Sequence, residues 1–289
     1  MIRRAVLVLL LLSVCTLPGC TVQKPVPPVP DAKPVRIVSM NPCVDTVLME
    51  VADPRQIAAI SHYSHDPRAT SVPLKWAMLY PIVSGAAEDI IAAEPDLVIA
   101  GPHVSVQTVA ALKRLSIPVM QVGVPETVDE SKKQITDIAE RIGQARAGAQ
   151  LNAKIEAAMT TARSGMQPVS ALIWQGSGLV PGKGTLADEL LTRTGFHNLS
   201  AALGLKKWDI LPLEALLSQP PAIVLTGQAS KGPSNADANR MLSHPVLRKA
   251  KANIKIAHFP SRLLNCGGPV IIQSVARLAE VRRSLEQKP

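Results

Sequence analysis

EDIIAAEPDLVIAG, from Glu88 to Gly101, and EALLSQPPAIVLTG, from Glu214 to Gly227, are one pattern written twice at a constant offset of 126 residues. Each opens on a glutamate, runs through an apolar helical stretch, meets a proline seven residues on and closes as a short apolar run ending in glycine. Proline cannot continue a helix, and a short apolar run between breakers reads as a buried strand. Two such helix-strand units predict two α/β lobes with a groove between them. An exposed carboxylate at the equivalent point of each, Glu88 and Glu214, suggests a two-point docking surface. The plainer reading is an acid favoured in a first helical turn by the backbone dipole.

Working outward, residues 35–126 read as an N-terminal lobe. It has a strand VRIVS (Val35 to Ser39), a break at Asn41-Pro42, a helix from Val44 to Ala52, and short strands near residues 57–60, 82–83, 97–100 and 119–122. Strands alternating with helices predict a largely parallel sheet. Residues 127–165 turn wholly helical: Thr127 and Glu130 form a capping box, and Ile135, Ile138, Ile142, Ile155 and Met159 mark an apolar stripe. Unbroken, that helix is a rod of roughly 50 Å at 1.5 Å per residue, weakened but not stopped by Gly143 and Gly148. Residues 166–289 form a C-terminal lobe with strands at 169–174, 222–226 and 254–258 and a closing helix from Pro269 to Leu285. The expected fold is α/β, two Rossmann-like lobes with mostly parallel sheets joined by one long spanning α-helix, which permits only small relative motion.

At the N-terminus, Arg3 and Arg4 precede AVLVLLLLSV, a run too short to span a bilayer and ordered like a secretory signal. Leu17 to Cys20 resembles a bacterial lipobox, so residues 1–20 read as a signal with lipidation at Cys20, against ordinary cleavage. Residues 21–34 are a proline-rich tether favouring extended conformations. The expected location is the periplasm, with the membrane reached by a lipid anchor. The formal net charge is +9 and falls by two when Arg3 and Arg4 leave with the signal. In that compartment nucleic acid is no partner, and the charge serves an anionic ligand, lipid headgroups or simply a solvated surface. Cys15 leaves with the signal, so Cys43 and Cys266 remain as a pair under oxidising conditions.

No catalytic set is present. Gly176-Ser177-Gly178 follows a strand, but Gln175 and Leu179 break the nucleophile-elbow pattern. Pro181-Gly182-Lys183-Gly184 lacks phosphate-loop spacing, and neither HExxH nor CxxC occurs. The chain reads as a non-enzyme, with no catalytic cofactor.

The string ISHYSHDP from Ile60, the repeated EPDLVIAG, the helical linker and CGGPVIIQSVARL near the end together resemble the substrate-binding proteins of ABC importers for cobalamin and iron complexes. The resemblance runs from about Arg36 to Leu285. It implies a monomer whose two rigid lobes clamp a metal chelate (cobalamin, haem or an iron-siderophore) and deliver it to a permease and its ATPase, with Glu88 and Glu214 docking on permease arginines. The alternatives are direct binding of a metal ion or haem, and a lipid-anchored envelope protein with no small ligand.

Ligands in open α/β sheets collect outside the carboxyl ends of the strands. Candidates there are Asn41, Pro42, Tyr63, His65, His103, Trp174, Leu263 and Leu264. Tyr63 matches a tyrosine lining the cobalamin pocket in the resembling family, and an aromatic in a loop can stack on a flat macrocycle. Leu263 and Leu264 stand where the cobalamin binder carries aromatic residues; with only seven aromatic residues in the chain, a stacking-rich pocket is hard to assemble. His65 and His103 are the candidate metal ligands. Cys43 and Cys266, on strand-end loops of opposite lobes, form a disulfide that staples the cleft, stand apart as thiols facing a metal centre, or are simply buried without either role.

Overall fold

Alternation along the strands sorts this molecule into layers. The computed structural model describes residues 36–175, 178–227 and 254–286. The signal, Cys20, the tether, Gly176 and Ser177 lie outside the described residues, as does the segment between Gly227 and Ile254.

In the first lobe β1 (Ile37–Ser39), α1 (Pro42–Val51), β2 (Ile57–Ser61), α2 (Leu74–Ala77), β3 (Ile82–Val83), α3 (Ala87–Ala92), β4 (Leu97–Ala100), α4 (Val106–Arg114) and β5 (Val119–Gln121) follow one another. They make a sheet of order β3-β2-β1-β4-β5 with every pairing parallel. The linker supplies α5 (Val128–Arg141) and α6 (Ala145–Ala162). The second lobe runs β6 (Val169–Trp174), β7 (Leu179–Pro181), α7 (Leu186–Arg193), β8 (Phe196–Asn198), α8 (Leu199–Ala202), β9 (Trp208–Ile210), α9 (Leu213–Ser218), β10 (Ile223–Thr226), β11 (Lys255–His258) and α10 (Val270–Ser284). Its parallel sheet has the order β11-β10-β6-β8, and β7 and β9 form a separate antiparallel ribbon.

Successive residues of a strand face opposite sides of its sheet. Ile37, Leu97 and Ile99 of the first sheet and Ala171, Ile173, Ile223 and Leu225 of the second all enter one core. Their neighbours Val38 and Val98 enter an outer cluster of the first lobe, and Leu172, Trp174 and Val224 an outer cluster of the second. The shared core is filled by Ile135, Ile138, Ile155, Ile271 and Val275 from the helices between the sheets. The lobes are therefore joined by continuous packing, which resists opening.

The expected single rod is instead a helical hairpin. Gly143 adopts φ +75°, the left-handed geometry that glycine supplies at a helix end, and α5 stops there. The chain reverses, so that Lys132 pairs with Glu156 at 2.9 Å and Asn152 donates to the Lys132 carbonyl and the Thr136 hydroxyl, both at 3.0 Å. Gly148 is where the two helices come closest, since a Cβ there would overlap that of Ala139. The crossing element is α6, about 27 Å long, packed on α1 of one lobe and α10 of the other. Thr127 caps α5 as expected, accepting from the Glu130 amide at 3.0 Å, while the Glu130 carboxylate accepts from the Glu126 amide at 2.8 Å.

Candidate functional site

Asn41 initiates α1: its Oδ1 accepts from the Cys43 amide at 2.8 Å, and Pro42 occupies the first helical turn, where its missing N–H costs nothing. The glycines that close the two sequence repeats make room beside the neighbouring loops. A Cβ on Gly101 would overlap the Asn41 amide, and one on Gly227 would overlap the Ser261 hydroxyl. Each repeat thus delivers a strand end against which another loop folds back closely.

Two recesses open at these ends. The first belongs to the N-terminal lobe and encloses about 850 Å³, part of it open to solvent, among Asn41, Pro42, His62, Tyr63, Gly101 and His103. Tyr63 is 51% exposed and lies against His62, ring centres 4.1 Å apart. The His62 ring is held by the Val83 carbonyl at 3.2 Å. Beneath, the buried Asp45 carboxylate accepts from the Ser61 amide at 3.1 Å and the Ser64 hydroxyl at 2.6 Å, so the segment bearing His62 and Tyr63 hangs from α1. Burial, outweighing these hydrogen bonds, pushes the Asp45 carboxyl up to about 7. Among the described residues its Oδ1 has no hydrogen-bond partner.

The second recess lies between the lobes. It encloses about 920 Å³, again partly open, walled by Val122, Val124 and Pro125 on one side and Leu186, Leu263 and Leu264 on the other. Asn41 lines both recesses, which are therefore neighbours on either side of this residue. A disulfide joins Cys43 to Cys266, Cα atoms 5.2 Å apart, and both residues line this wall. At the rim Lys207 forms an ion pair with Glu126, and Trp208, 42% exposed, stands beside it.

Of the residues singled out in the sequence, Asn41, Pro42, Tyr63 and His103 line the lobe-one recess and Leu263 and Leu264 the inter-lobe recess. Trp174 does not face a ligand. It is fully buried in the outer cluster of the second lobe, because it shares the parity of Leu172 rather than that of Ile173. His65 is also removed from the recesses: its Nε2 meets the Ala77 carbonyl at 3.0 Å and ties down the end of α2. Among the described residues no three His, Cys, Asp or Glu side chains gather as a metal site, and no helix is long and apolar enough to cross a membrane. Glu88 and Glu214 are exposed in the first turns of α3 and α9, and neither carboxylate makes an ion pair among the described residues. Sequence reasoning missed Val124, Glu126, Lys207 and Trp208. A tryptophan flanked by Lys206, Lys207 and Asp209, outside any apolar run, was the available signal.

Residues 37–263 match the family described as periplasmic binding protein. A cobalamin-binding protein of Halobacterium salinarum is 25% identical over 264 residues, covering 86% of this chain and 69% of its own length. Among solved structures, the periplasmic heme-binding protein HutB of Vibrio cholerae superposes with a TM-score of 0.70 at 20% identity, covering 86% of this chain and 98% of its own. The vitamin B12-binding protein BtuF of the same organism gives 0.67 at 19% identity, with 89% and 99% covered. These structures share the two-lobed α/β architecture described above. With its match extending from β1 through the loop that walls the cleft, the chain belongs to the periplasmic binding protein family.

Proposed function

We propose that this protein captures a bulky metal chelate, cobalamin or an iron complex such as haem, across the inter-lobe recess and its lobe-one neighbour and delivers it to an ABC importer permease. The observation that carries this reading is the junction at Asn41 of an apolar recess with a recess bearing Tyr63, His62 and His103. A planar or corrin macrocycle has a large apolar body and a polar, metal-bearing centre, and the two recesses offer a surface for each. Nanomolar capture requires about 12 kcal/mol, which an enclosing cleft supplies more readily than a rim contact. Tyr63 and His103, which line the lobe-one recess, are proposed to meet the metal-bearing part. Glu88 and Glu214 are proposed to dock on permease arginines, giving orientation and association rate rather than raw affinity. Cys20 is proposed to carry a lipid that holds the protein at the membrane.

Titration of the purified protein with cyanocobalamin, haemin and a ferric siderophore, followed by absorbance and by tryptophan fluorescence, tests the cargo. Micromolar or tighter binding is expected for at least one chelate, with weaker but measurable binding of a second, and failure of all three overturns the reading. Reversal of both Glu88 and Glu214 to lysine is expected to leave cargo affinity intact and abolish uptake in cells; undiminished uptake would remove the docking assignment.

A further inference from the structure

Cys43 and Cys266 are 223 residues apart in sequence and come from opposite lobes, and their bridge lies where the shared core meets the cleft wall, Cys266 buried and Cys43 half-buried. Cys43 is the second residue of the ten-residue α1, and Cys266 ends the run Leu263, Leu264, Asn265 that lines the inter-lobe recess. Besides the packing of Leu263 and Leu264 on the shared core, hydrogen bonds join this segment to the first lobe and the linker. Ser71 donates to the Arg262 carbonyl at 2.7 Å, Asn265 to the Ala69 carbonyl at 3.2 Å, and the Gly268 amide to the Ser131 hydroxyl at 2.6 Å. The covalent staple of this wall is therefore reachable by solutes that enter the cleft.

We propose that the Cys43–Cys266 bridge is a redox gate on the cargo cleft: oxidised, it fixes the wall formed by residues 263–265; reduced by a dithiol, it frees that wall and weakens cargo binding. The exchange is balanced by the reductant. One of its thiolates attacks the Cys43 sulfur, the more exposed of the two, the S–S bond breaks, and Cys266 leaves as a thiolate that takes up a proton. The second thiol then attacks the mixed disulfide, releases Cys43 and leaves the reductant as a disulfide. Cys43 departs as a thiolate at the N-terminal turn of α1, where the backbone dipole favours an anion. Because binding free energies are reciprocal, a tenfold loss of cargo affinity on reduction demands that saturating cargo make the bridge tenfold harder to reduce.

The gate rests on the cargo reading only for its effect on affinity, so the test has an arm without cargo. Native protein is equilibrated with mixtures of reduced and oxidised dithiothreitol, thiols are trapped by alkylation and counted by mass spectrometry, and amide hydrogen exchange is followed in both forms. Reduction without unfolding is expected, with exchange across residues 259–268 accelerated at least tenfold more than that of residues 128–162, which follows the loss of global stability alone. A bridge that yields only on global unfolding, or an unchanged exchange pattern after reduction, overturns the proposal. Repeating the titration with cyanocobalamin and haemin should show matched factors for affinity and reducibility; cargo bound equally by both forms overturns the gate while leaving the cargo assignment standing. If neither chelate binds in either form, the cargo reading fails and hydrogen exchange still decides whether the wall is gated. The Cys43→Ser, Cys266→Ser double variant should reproduce the reduced form, and if it does not fold the reduced native protein gives the answer.

Discussion

The two recesses meet at Asn41 and are held by different means. The one bearing Tyr63 and His103 is built from loops of a single lobe, and the segment carrying His62 and Tyr63 hangs on one buried carboxyl, Asp45. The other is built from both lobes, is walled by aliphatic side chains and is pinned by a disulfide. The difference teaches that the polar surface is a property of one lobe's local hydrogen bonding. The apolar surface depends instead on how the lobes are registered against each other. Perturbations should therefore separate the two.

The largest separation is expected from the disulfide. A bridge spanning 223 residues restricts the unfolded chain strongly, and the chain-entropy argument gives about 5 kcal/mol. The Cys43→Ser, Cys266→Ser double variant should lose most of that in guanidinium unfolding. A loss below about 1 kcal/mol would mean that packing alone registers the lobes, and the contrast drawn above would fail.

Asp45 tests the other recess. In the folded protein its carboxyl holds a proton up to about pH 7, whereas the unfolded chain releases it near its ordinary value of 3.8. The folded state thus binds more protons between these values, and this group's contribution is most favourable below about pH 4 and lost as pH rises through 7. The loss is on the order of a few kcal/mol. Asp45→Asn imitates the protonated acid, and its carbonyl can still accept from Ser61 and Ser64. Denaturant unfolding at pH 5 and pH 8 should show the wild type weaker at pH 8, and the variant flatter and more stable there. Equal pH dependence of the two proteins would remove Asp45 as the group responsible.

A direct comparison of the recesses comes from trimming one contact in each. Leu264→Ala removes aliphatic surface from the inter-lobe wall and should weaken cyanocobalamin and haemin alike, by about 1 kcal/mol or five- to tenfold. Tyr63→Ala removes the ring proposed to meet only the metal-bearing part of a cargo and should weaken the two chelates by different factors. Similar selectivity in both variants would show that the recesses act as one surface.

Why the sequence disclosed the sheets but not all of the site follows from lengths and parities. Leu97 to Ala100 and Ile223 to Thr226 are apolar on both faces, so they announced themselves as buried strands, and the repeat placed them in two lobes. That same two-sided burial hides which face looks inward, so the sequence alone points Trp174 to the cleft while its parity places it in the outer cluster. Strands β7, β8 and β9 have three residues each, too few to carry a period, so the ribbon presenting Trp208 went unread. Gly143 was visible, but a lone glycine within an apolar stripe weakens a helix as readily as it ends one. The pairing of residues 132 and 136 with 156 and 152 is what resolves it.

The smallest effect expected is at the rim, and it sharpens the comparison because it joins the lobes without walling either recess deeply. Lys207 reaches Glu126 from a residue with φ +56°, and both side chains are about half exposed. Exposed ion pairs are worth about 0 to 1 kcal/mol and are screened by salt. Glu126→Gln should therefore change unfolding free energy by less than about 1 kcal/mol, with the difference vanishing at high ionic strength. Its effect on cargo should appear in rates: loosening the rim beside Trp208 is expected to speed release two- to threefold in stopped-flow fluorescence while equilibrium affinity shifts little. A large, salt-independent loss of stability would instead place this pair among the elements that register the lobes, alongside the disulfide, and the division of labour between packed wall and open rim would have to be redrawn.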